Sequence, residues 1–171
     1  VEKGDMEIIA EKIDFLGINY YQEGAVAYDE SAISKHKDVP VWQPVTNQRW
    51  PVTPYGLLRI LHYVQGMDKE LPLYITENGC ANDDILKEGR VHDLFRCDYI
   101  NKHLAICEQA IDEGINLKGY FIWSFLDNFE WAWGYSRRFG IIYVDYETQE
   151  RIPKDSAYML RDVIAGYCEF D

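Results

Sequence analysis

The sequence of 171 residues has little positive charge. It holds 17 lysine and arginine residues against 29 aspartate and glutamate residues, which gives a formal net charge of −12. Such an excess of negative charge repels nucleic-acid phosphates and anionic membrane surfaces. No apolar run approaches the roughly 18 residues of a membrane span, and residues 1–5 contain neither an initiator methionine nor the start of a secretory signal. We therefore expect no nucleic-acid partner and no membrane partner.

Cysteine is also scarce, and its spacing matches no zinc motif. A chain with so large an apolar fraction does not need disulfides, so we expect free thiols and, on that ground, a cytoplasmic location. His92 and His103 lie eleven residues apart without a matching set of further ligands, so we expect neither a metal ion nor a cofactor. The four cysteines are Cys80, Cys97, Cys107 and Cys168.

Apolar and aromatic residues are abundant. The hydrophobic fraction is 47% and the aromatic fraction 15%, with five tryptophans and thirteen tyrosines, several of them in residues 120–146. A chain of this composition can bury a sizeable core, so disorder is excluded. Flat aromatic faces are equally suited to a core and to the binding of sugar rings. With no repeat, low-complexity tract or linker, the sequence predicts one structural unit.

The order of apolar segments predicts alternating strands and helices. Uninterrupted apolar runs indicate strands covered on both faces, and helical spacing with capping residues indicates the helices, the first of them with Thr53 as N-cap and a stop at Gly66. This alternation is typical of a parallel α/β protein, a doubly wound sheet or a barrel. Three such units cannot close a barrel. The predicted strands are 13–21, 71–77, 118–124 and a short one within 139–146, and the helices are 53–66, 93–113 and 156–165.

Two regions of this pattern attract functional interpretation. Residues 22–50 show no sustained period, and a polar connection of that length favours a functional loop. Glu77 ends an apolar strand, and the carboxyl ends of parallel strands are where catalytic groups collect. The alternative for Glu77 is that it is only the first solvated residue after the strand.

Several other side chains have both a structural and a functional interpretation. Asn19 and Tyr21 lie two apart on a strand and therefore point the same way, although Tyr21 by itself is more often a core residue. Trp123 and Phe139 are also more often core residues. Glu130 lies among aromatic residues, where a buried carboxylate needs a ligand or a partner.

Motifs in this chain resemble those of glycoside hydrolase family 1. Residues 75–79, Ile-Thr-Glu-Asn-Gly, resemble the signature around the family's catalytic nucleophile. Residues 15–21 resemble its sixth barrel strand, and residues 123–131 its eighth strand and sugar-binding loop. The similarity runs from about residue 5 to residue 164. It implies that residues 1–171 are one C-terminal segment, about the last three βα units, of a TIM (β/α)8 barrel whose N-terminal units are absent.

The resemblance implies a retaining β-glucosidase that hydrolyses β-glucosides or oligosaccharides. Such enzymes use two carboxyl groups about 5–5.5 Å apart, one as nucleophile and one as acid/base. Glu77 takes the place of the nucleophile, and Tyr21 that of the hydrogen-bond donor to its carboxylate. The family's acid/base glutamate lies in a Thr-x-Asn-Glu-Pro motif that this sequence does not contain.

The same resemblance implies a set of substrate-binding residues. Glu130 and Trp131 take the place of the pair that holds the non-reducing sugar, which argues against the 6-phosphoglycosidase branch, as does Phe139 where that branch has tyrosine. Tyr55 and Trp133 depart from the usual residues. The remaining roles fall to Asn19 beside Tyr21, to Trp123 beneath the sugar, to Phe139 beside its hydroxymethyl end and to Trp50 on the leaving-group side.

Alternatives remain open at this point. A three-unit segment is also compatible with a non-catalytic half-barrel or carbohydrate-binding piece, inactive alone. An enzyme would need the missing N-terminal half or a second copy as its partner, because the flanks of the sheet are otherwise exposed. The family also includes β-galactosidases, β-fucosidases and thioglucosidases, so the donor sugar is open as well.

Overall fold

The computed structural model describes residues 1–166 as an α/β unit with four helices and nine short strands. Within these residues no helix is both long and apolar enough to cross a membrane. The helices are α1 (Asp5–Ile9), α2 (Pro54–Gln65), α3 (Leu94–Asp112) and α4 (Asp155–Ile164). The strands are β1 (Leu16–Asn19), β2 (Ala25–Tyr28), β3 (His36–Val39), β4 (Leu73–Asn78), β5 (Leu86–Lys87), β6 (Arg90–Val91), β7 (Leu117–Ile122), β8 (Ile142–Val144) and β9 (Arg151–Pro153).

Three parallel strands form the sheet that organises the molecule, in the order β1-β4-β7. Leu16 pairs with Leu73 in β4, and Leu73 in turn pairs with Leu117 in β7. Parallel neighbours need crossover connections, which α2 supplies between β1 and β4 and α3 between β4 and β7. This is the predicted parallel α/β alternation, with three strands that remain open at both edges.

The main core lies between this sheet and the two crossover helices. Leu57 and Leu61 are one helical turn apart on α2 and fully buried, and they belong to one cluster with Leu73 and Ile75 of β4. Ile106 brings α3 into the same cluster. The helical spacing seen in the sequence therefore corresponds to the face of α2 that packs on the sheet.

The prediction that the first strand is covered on both faces is wrong for β1. Its burial alternates, with Leu16 and Ile18 packed against the core and Gly17 and Asn19 exposed. The strand is also four residues long rather than nine. Its apolar residues face the helices, whereas no part of the described chain covers the opposite face of the sheet, on which Phe121 is 57% exposed.

Residues 22–50 contain regular structure that the sequence did not reveal. Strands β2 and β3 form an antiparallel hairpin in which Ala25 pairs with Val39 and Tyr28 with His36. Each strand has four residues, too few for a clear period of two, and His36, Lys37 and Asp38 are exposed. Four other short elements, α1, β5, β6 and β9, were also not predicted.

The predicted helices are confirmed within one or two residues at each end. Thr53 occupies the N-cap position of α2 as expected, but its hydroxyl makes no capping bond. It instead accepts a hydrogen bond of 2.7 Å from the backbone N–H of Glu23. The cap residue therefore ties the start of α2 to the segment that follows β1.

A buried cluster of six charged side chains joins the part of the chain that follows β4 to the part that follows β7. Lys154 Nζ contacts Asp127 Oδ1 at 2.8 Å and the carbonyl oxygen of Gly140 at 2.6 Å, and all atoms of its side chain are buried. Three cations balance three carboxylates. The six residues are Asp84, Asp93, Arg96, Asp127, Arg138 and Lys154.

Candidate active site

The carboxyl ends of the three parallel strands bring the predicted site residues to one edge of the sheet. Asn19, the last residue of β1, pairs with Glu77, and Asn78 at the end of β4 pairs with Ile122 at the end of β7. Trp123 follows β7 directly, and Tyr21 lies two residues beyond the end of β1. The strand topology therefore accounts for the meeting of residues that lie far apart in the sequence.

Glu77 is half-buried and is oriented by Tyr21. The phenol of Tyr21 donates a hydrogen bond of 2.6 Å to Oε2 of Glu77. Burial of the phenol, followed by its hydrogen bond to Glu77 and the charge of that carboxylate, raises the pKa of Tyr21 above its ordinary value. Tyr21 therefore stays protonated, and its proton fixes one oxygen of Glu77.

Tyr21 is held by two further rings. Its ring lies 5.5 Å from that of Trp50 and 6.2 Å from that of Phe139, both in edge-on geometry. Trp50 and Phe139 approach each other at 6.3 Å, and Phe139 is only 2% exposed. The structure thus unites three of the predicted residues in one aromatic cluster, in which Phe139 packs against Tyr21.

Glu130 supplies a second carboxylate close to the first. Partial burial raises the pKa of Glu130, the charge of Glu77 adds to the rise, and the side chain of Trp123 acts in the opposite direction. The opposing effect comes from a hydrogen bond with the side chain of Trp123, which offsets only part of the lost hydration of this half-buried carboxylate. Sugar hydroxyls are suitable donors for it.

Two predicted residues are more exposed than the others. Asn19 is exposed and accepts a hydrogen bond of 2.7 Å from the hydroxyl of Thr76. Trp131 begins a short 3-10 helix, Trp131–Trp133, and is 81% exposed. The structure does not bring Trp131 into the aromatic cluster around Tyr21. Its indole faces remain open to solvent.

A close approach of two strand ends requires glycine at position 79. A Cβ atom built there would lie 1.7 Å from the carbonyl oxygen of Trp123. The N–H of Trp123 also donates to the carbonyl oxygen of Asn78 at 2.8 Å, and the Trp123–Ser124 peptide bond is cis. Gly79 therefore lets β4 and β7 end side by side, with Trp123 against the backbone of Asn78 and Gly79.

Residues behind Glu77 that the sequence did not single out also contribute. Asn78 lies within the motif of residues 75–79, a position that was its available signal. Tyr99 and Tyr120 come from α3 and β7 and lay in no motif, yet each forms a hydrogen bond with Asn78. Within residues 1–166 no group of three potential metal ligands comes together.

A carboxylate at the end of a parallel strand, oriented by a phenol, lies where barrel enzymes place catalytic groups, and the aromatic rings beside it are suited to packing on a sugar. The family model described as Glycosyl hydrolase family 1 matches residues 1–167. The chain belongs to this family.

Named relatives agree with the family. Beta-glucosidase A of Thermotoga maritima is 51% identical over 163 residues, which cover 95% of this chain and 36% of the relative. The bifunctional beta-D-glucosidase/beta-D-fucosidase of Bifidobacterium breve is 40% identical over 182 residues, covering 96% of this chain and 40% of the relative.

A solved structure confirms the fold. The crystal structure of the family 1 beta-glucosidase of Exiguobacterium antarcticum B7 matches with a TM-score of 0.95 and 42% identity, over 98% of this chain and 38% of that one. The chain therefore corresponds to part of a TIM barrel and spans well under half the length of the relatives that it matches. It aligns with the C-terminal portion of the Thermotoga maritima relative.

Proposed function

We propose that this chain carries the nucleophile of a retaining β-glucosidase that removes terminal non-reducing β-D-glucosyl residues by double displacement. Glu77 attacks the anomeric carbon as the leaving oxygen departs, and water then releases the sugar from the covalent intermediate. The observation that carries the proposal is the hydrogen bond of 2.6 Å from Tyr21 to Glu77, because it leaves one carboxylate oxygen oriented and the other available for attack.

The surrounding residues hold the sugar. Glu130 accepts hydrogen bonds from two sugar hydroxyls, a role supported by its proximity to Glu77 and its raised pKa. The aromatic faces pack against the ring and the leaving group. Trp123 and Trp131 contact the donor sugar together with Phe139, Trp50 lies on the leaving-group side, and Asn19 contributes its amide.

The N-terminal part of the barrel supplies the acid/base carboxyl group. We interpret residues 1–171 as a C-terminal segment of the catalytic domain, since the chain spans 36% of the Thermotoga maritima relative. An apolar groove beside β7 is a suitable contact for the missing units, and it includes Phe125, 66% exposed, and Ile164, 79% exposed. We call this chain together with those units the completed barrel. It can be produced as one longer polypeptide, or by co-expression of this chain with the corresponding part of that relative.

A second candidate function is a non-catalytic half-barrel that binds sugar. The observation in its favour is that neither of the carboxylates of this site, Glu77 and Glu130, takes the place of the acid/base residue. The motif that carries this residue in the family does not occur in the sequence. Two copies of the chain could also cover each other's open sheet edges. Co-expression with the N-terminal part separates these cases, because a binding piece gains no turnover from it.

The identity of the donor sugar is also part of the proposal. Glucose is favoured by Beta-glucosidase A, whereas the Bifidobacterium breve relative is named for both glucosidase and fucosidase activity. Rates on matched aryl β-glucoside, β-fucoside, β-galactoside and thioglucoside substrates distinguish the four. We further propose a cytoplasmic location, supported by free thiols at Cys80, Cys97 and Cys107; Cys168 lies outside the described residues.

The decisive variants are Glu77→Gln and Glu130→Ala in the completed barrel. Glu77→Gln should abolish turnover, because an amide cannot form the glycosyl intermediate. Glu130→Ala should mainly raise KM, because it removes contacts with the bound sugar. Glu108→Gln, at an exposed position on α3, is the matched control and should retain the parent rate. Parent-like turnover in Glu77→Gln would refute the proposal.

A further inference from the structure

Behind the nucleophile lies an amide whose hydrogen-bonding groups are used in three directions. Asn78 is fully buried and follows Glu77 directly. Its Nδ2 donates to the carbonyl oxygen of Tyr20 at 2.7 Å and to the hydroxyl oxygen of Tyr99 at 3.1 Å. Its Oδ1 accepts a hydrogen bond of 2.6 Å from Tyr120. The amide thus links the ends of β1, β4 and β7 with α3.

Tyr99 extends this network to the site. Its hydroxyl donates to the carbonyl oxygen of Tyr21 at 2.9 Å. The side chain is 1% exposed, and its ring stacks on that of His103 at 4.1 Å. Burial raises the pKa of Tyr99, so that its hydroxyl keeps the proton that it donates. The two ends of Tyr21 are therefore held separately, its carbonyl by Tyr99 and its phenol by Glu77.

These hydrogen bonds do more than supply partners for buried polar groups, because of where they lie along the chain. The parallel ladder between β1 and β4 ends where the N–H of Tyr20 donates to the carbonyl oxygen of Glu77 at 2.9 Å. The next two carbonyls of the chain, those of Tyr20 and Tyr21, accept instead from Asn78 and Tyr99. Side chains thus take over from the sheet at the residue whose phenol orients the nucleophile.

We propose that Tyr99 is a positioning residue for the hydrolytic reaction, which fixes the backbone of Tyr21 and through it the hydrogen bond to Glu77. This proposal rests on the proposed function, since it requires Glu77 to be the nucleophile. Asn78 and Tyr120 belong to the same hydrogen-bond network. Tyr120 orients the side-chain amide of Asn78, and this amide bonds to Tyr99. Within residues 1–166, Tyr99 forms no hydrogen bond or ring stacking with Glu77 or with the proposed sugar-binding residues.

The test is Tyr99→Phe in the completed barrel, which deletes one hydroxyl and keeps the ring on His103. Loss of a hydrogen bond that acts on the chemical step lowers kcat by about threefold to tenfold. KM should stay within about twofold, because Glu130 and Trp123 are untouched. The matched control is Tyr74→Phe, a half-buried tyrosine of β4 whose hydroxyl forms no hydrogen bond within residues 1–166, and it should leave both constants unchanged.

A double-mutant cycle shows whether Tyr99 acts through Tyr21. In a Tyr21→Phe background the phenol that orients Glu77 is gone, so adding Tyr99→Phe should lower kcat no further. An equal drop in both backgrounds would mean general loosening and would overturn the proposal, as would an unchanged kcat in the single variant. If Tyr99→Phe does not fold, Tyr120→Phe replaces it, with the same dependence on Tyr21 expected.

The failure of this proposal is separable from that of the proposed function. Glu77→Gln is measured in the same series. If Glu77→Gln is inactive and Tyr99→Phe behaves like Tyr74→Phe, only the positioning role is refuted. If Glu77→Gln keeps its activity, the nucleophile assignment is refuted and the positioning role with it.

Discussion

Substitution of Lys154 by methionine should destabilise the protein more than any loss of a surface ion pair. Lys154 is fully buried at the start of α4, and its ammonium lies 2.5 Å from Asp84 Oδ2 and 2.8 Å from Asp127 Oδ1. Burial lowers the pKa of Lys154 and the charge of Arg96 adds to this, while the two carboxylates oppose it. The lysine charge thus depends on these two partners, and they depend on it.

The magnitude can be worked out from the charges that the substitution leaves behind. Methionine retains most of the aliphatic chain, so little packing is lost. Asp84 keeps Arg96 as a partner and Asp127 keeps Arg138, but the buried cluster then holds three carboxylates against two cations. Removing one partner of a buried pair typically costs about 3–5 kcal/mol. We expect a loss in this range, together with looser attachment of residues 127–140, which carry Glu130.

The assay is urea unfolding of the completed barrel, followed by tryptophan fluorescence. The matched control is Lys102→Met, which breaks a lysine–aspartate contact of 2.6 Å to Asp98 whose side chains are 51% and 57% exposed. An exposed pair of this kind contributes little to stability. Equal free energies of unfolding in Lys154→Met and Lys102→Met would refute the reasoning, because burial would then add nothing to the interaction.

Two further predictions concern the site and its support. Tyr21→Phe removes a hydrogen bond to a charged group, which is worth about 1.5–3 kcal/mol, so kcat/KM should fall by roughly 10- to 150-fold, and steady-state kinetics on an aryl β-glucoside check this. Burial lowers the pKa of His103 from 6.5 to about 4. Because the unfolded chain then binds the extra proton first, stability should fall by about 3 kcal/mol as the pH drops from about 6.5 to about 4. Urea unfolding across this range should show that slope for the parent protein and not for His103→Leu.

Much of the fold could be predicted from local pattern. The spacing of Leu57 and Leu61 specified the buried face of α2, and the apolar run of residues 71–77 specified the central strand. Where prediction failed, the missing information was not local. The exposed face of β1 depends on units outside this chain, and the hydroxyl of Thr53 has an alternative partner in Glu23, 30 residues away.

The candidate site divides in the same way. Glu77 and Tyr21 could be placed from motifs and from the rule that catalytic groups lie at the ends of parallel strands, and their contact is present. Tyr99 could not, because it is one of several apolar-facing residues on α3. Its proposed role rests on the hydrogen bond from its hydroxyl to the carbonyl oxygen of Tyr21, across 78 residues of sequence. Long-range hydrogen bonds of this kind leave no periodic signal.

The most direct test of the central claim is covalent labelling of Glu77. An activated 2-deoxy-2-fluoro β-glucoside forms a glycosyl-enzyme that turns over slowly, and intact mass before and after incubation detects it. We predict one fluoroglucosyl adduct on the completed barrel, located at Glu77 by peptide mapping and absent from Glu77→Gln. An adduct on another residue, or an unlabelled protein that still hydrolyses the parent glucoside, would contradict Glu77 as the nucleophile.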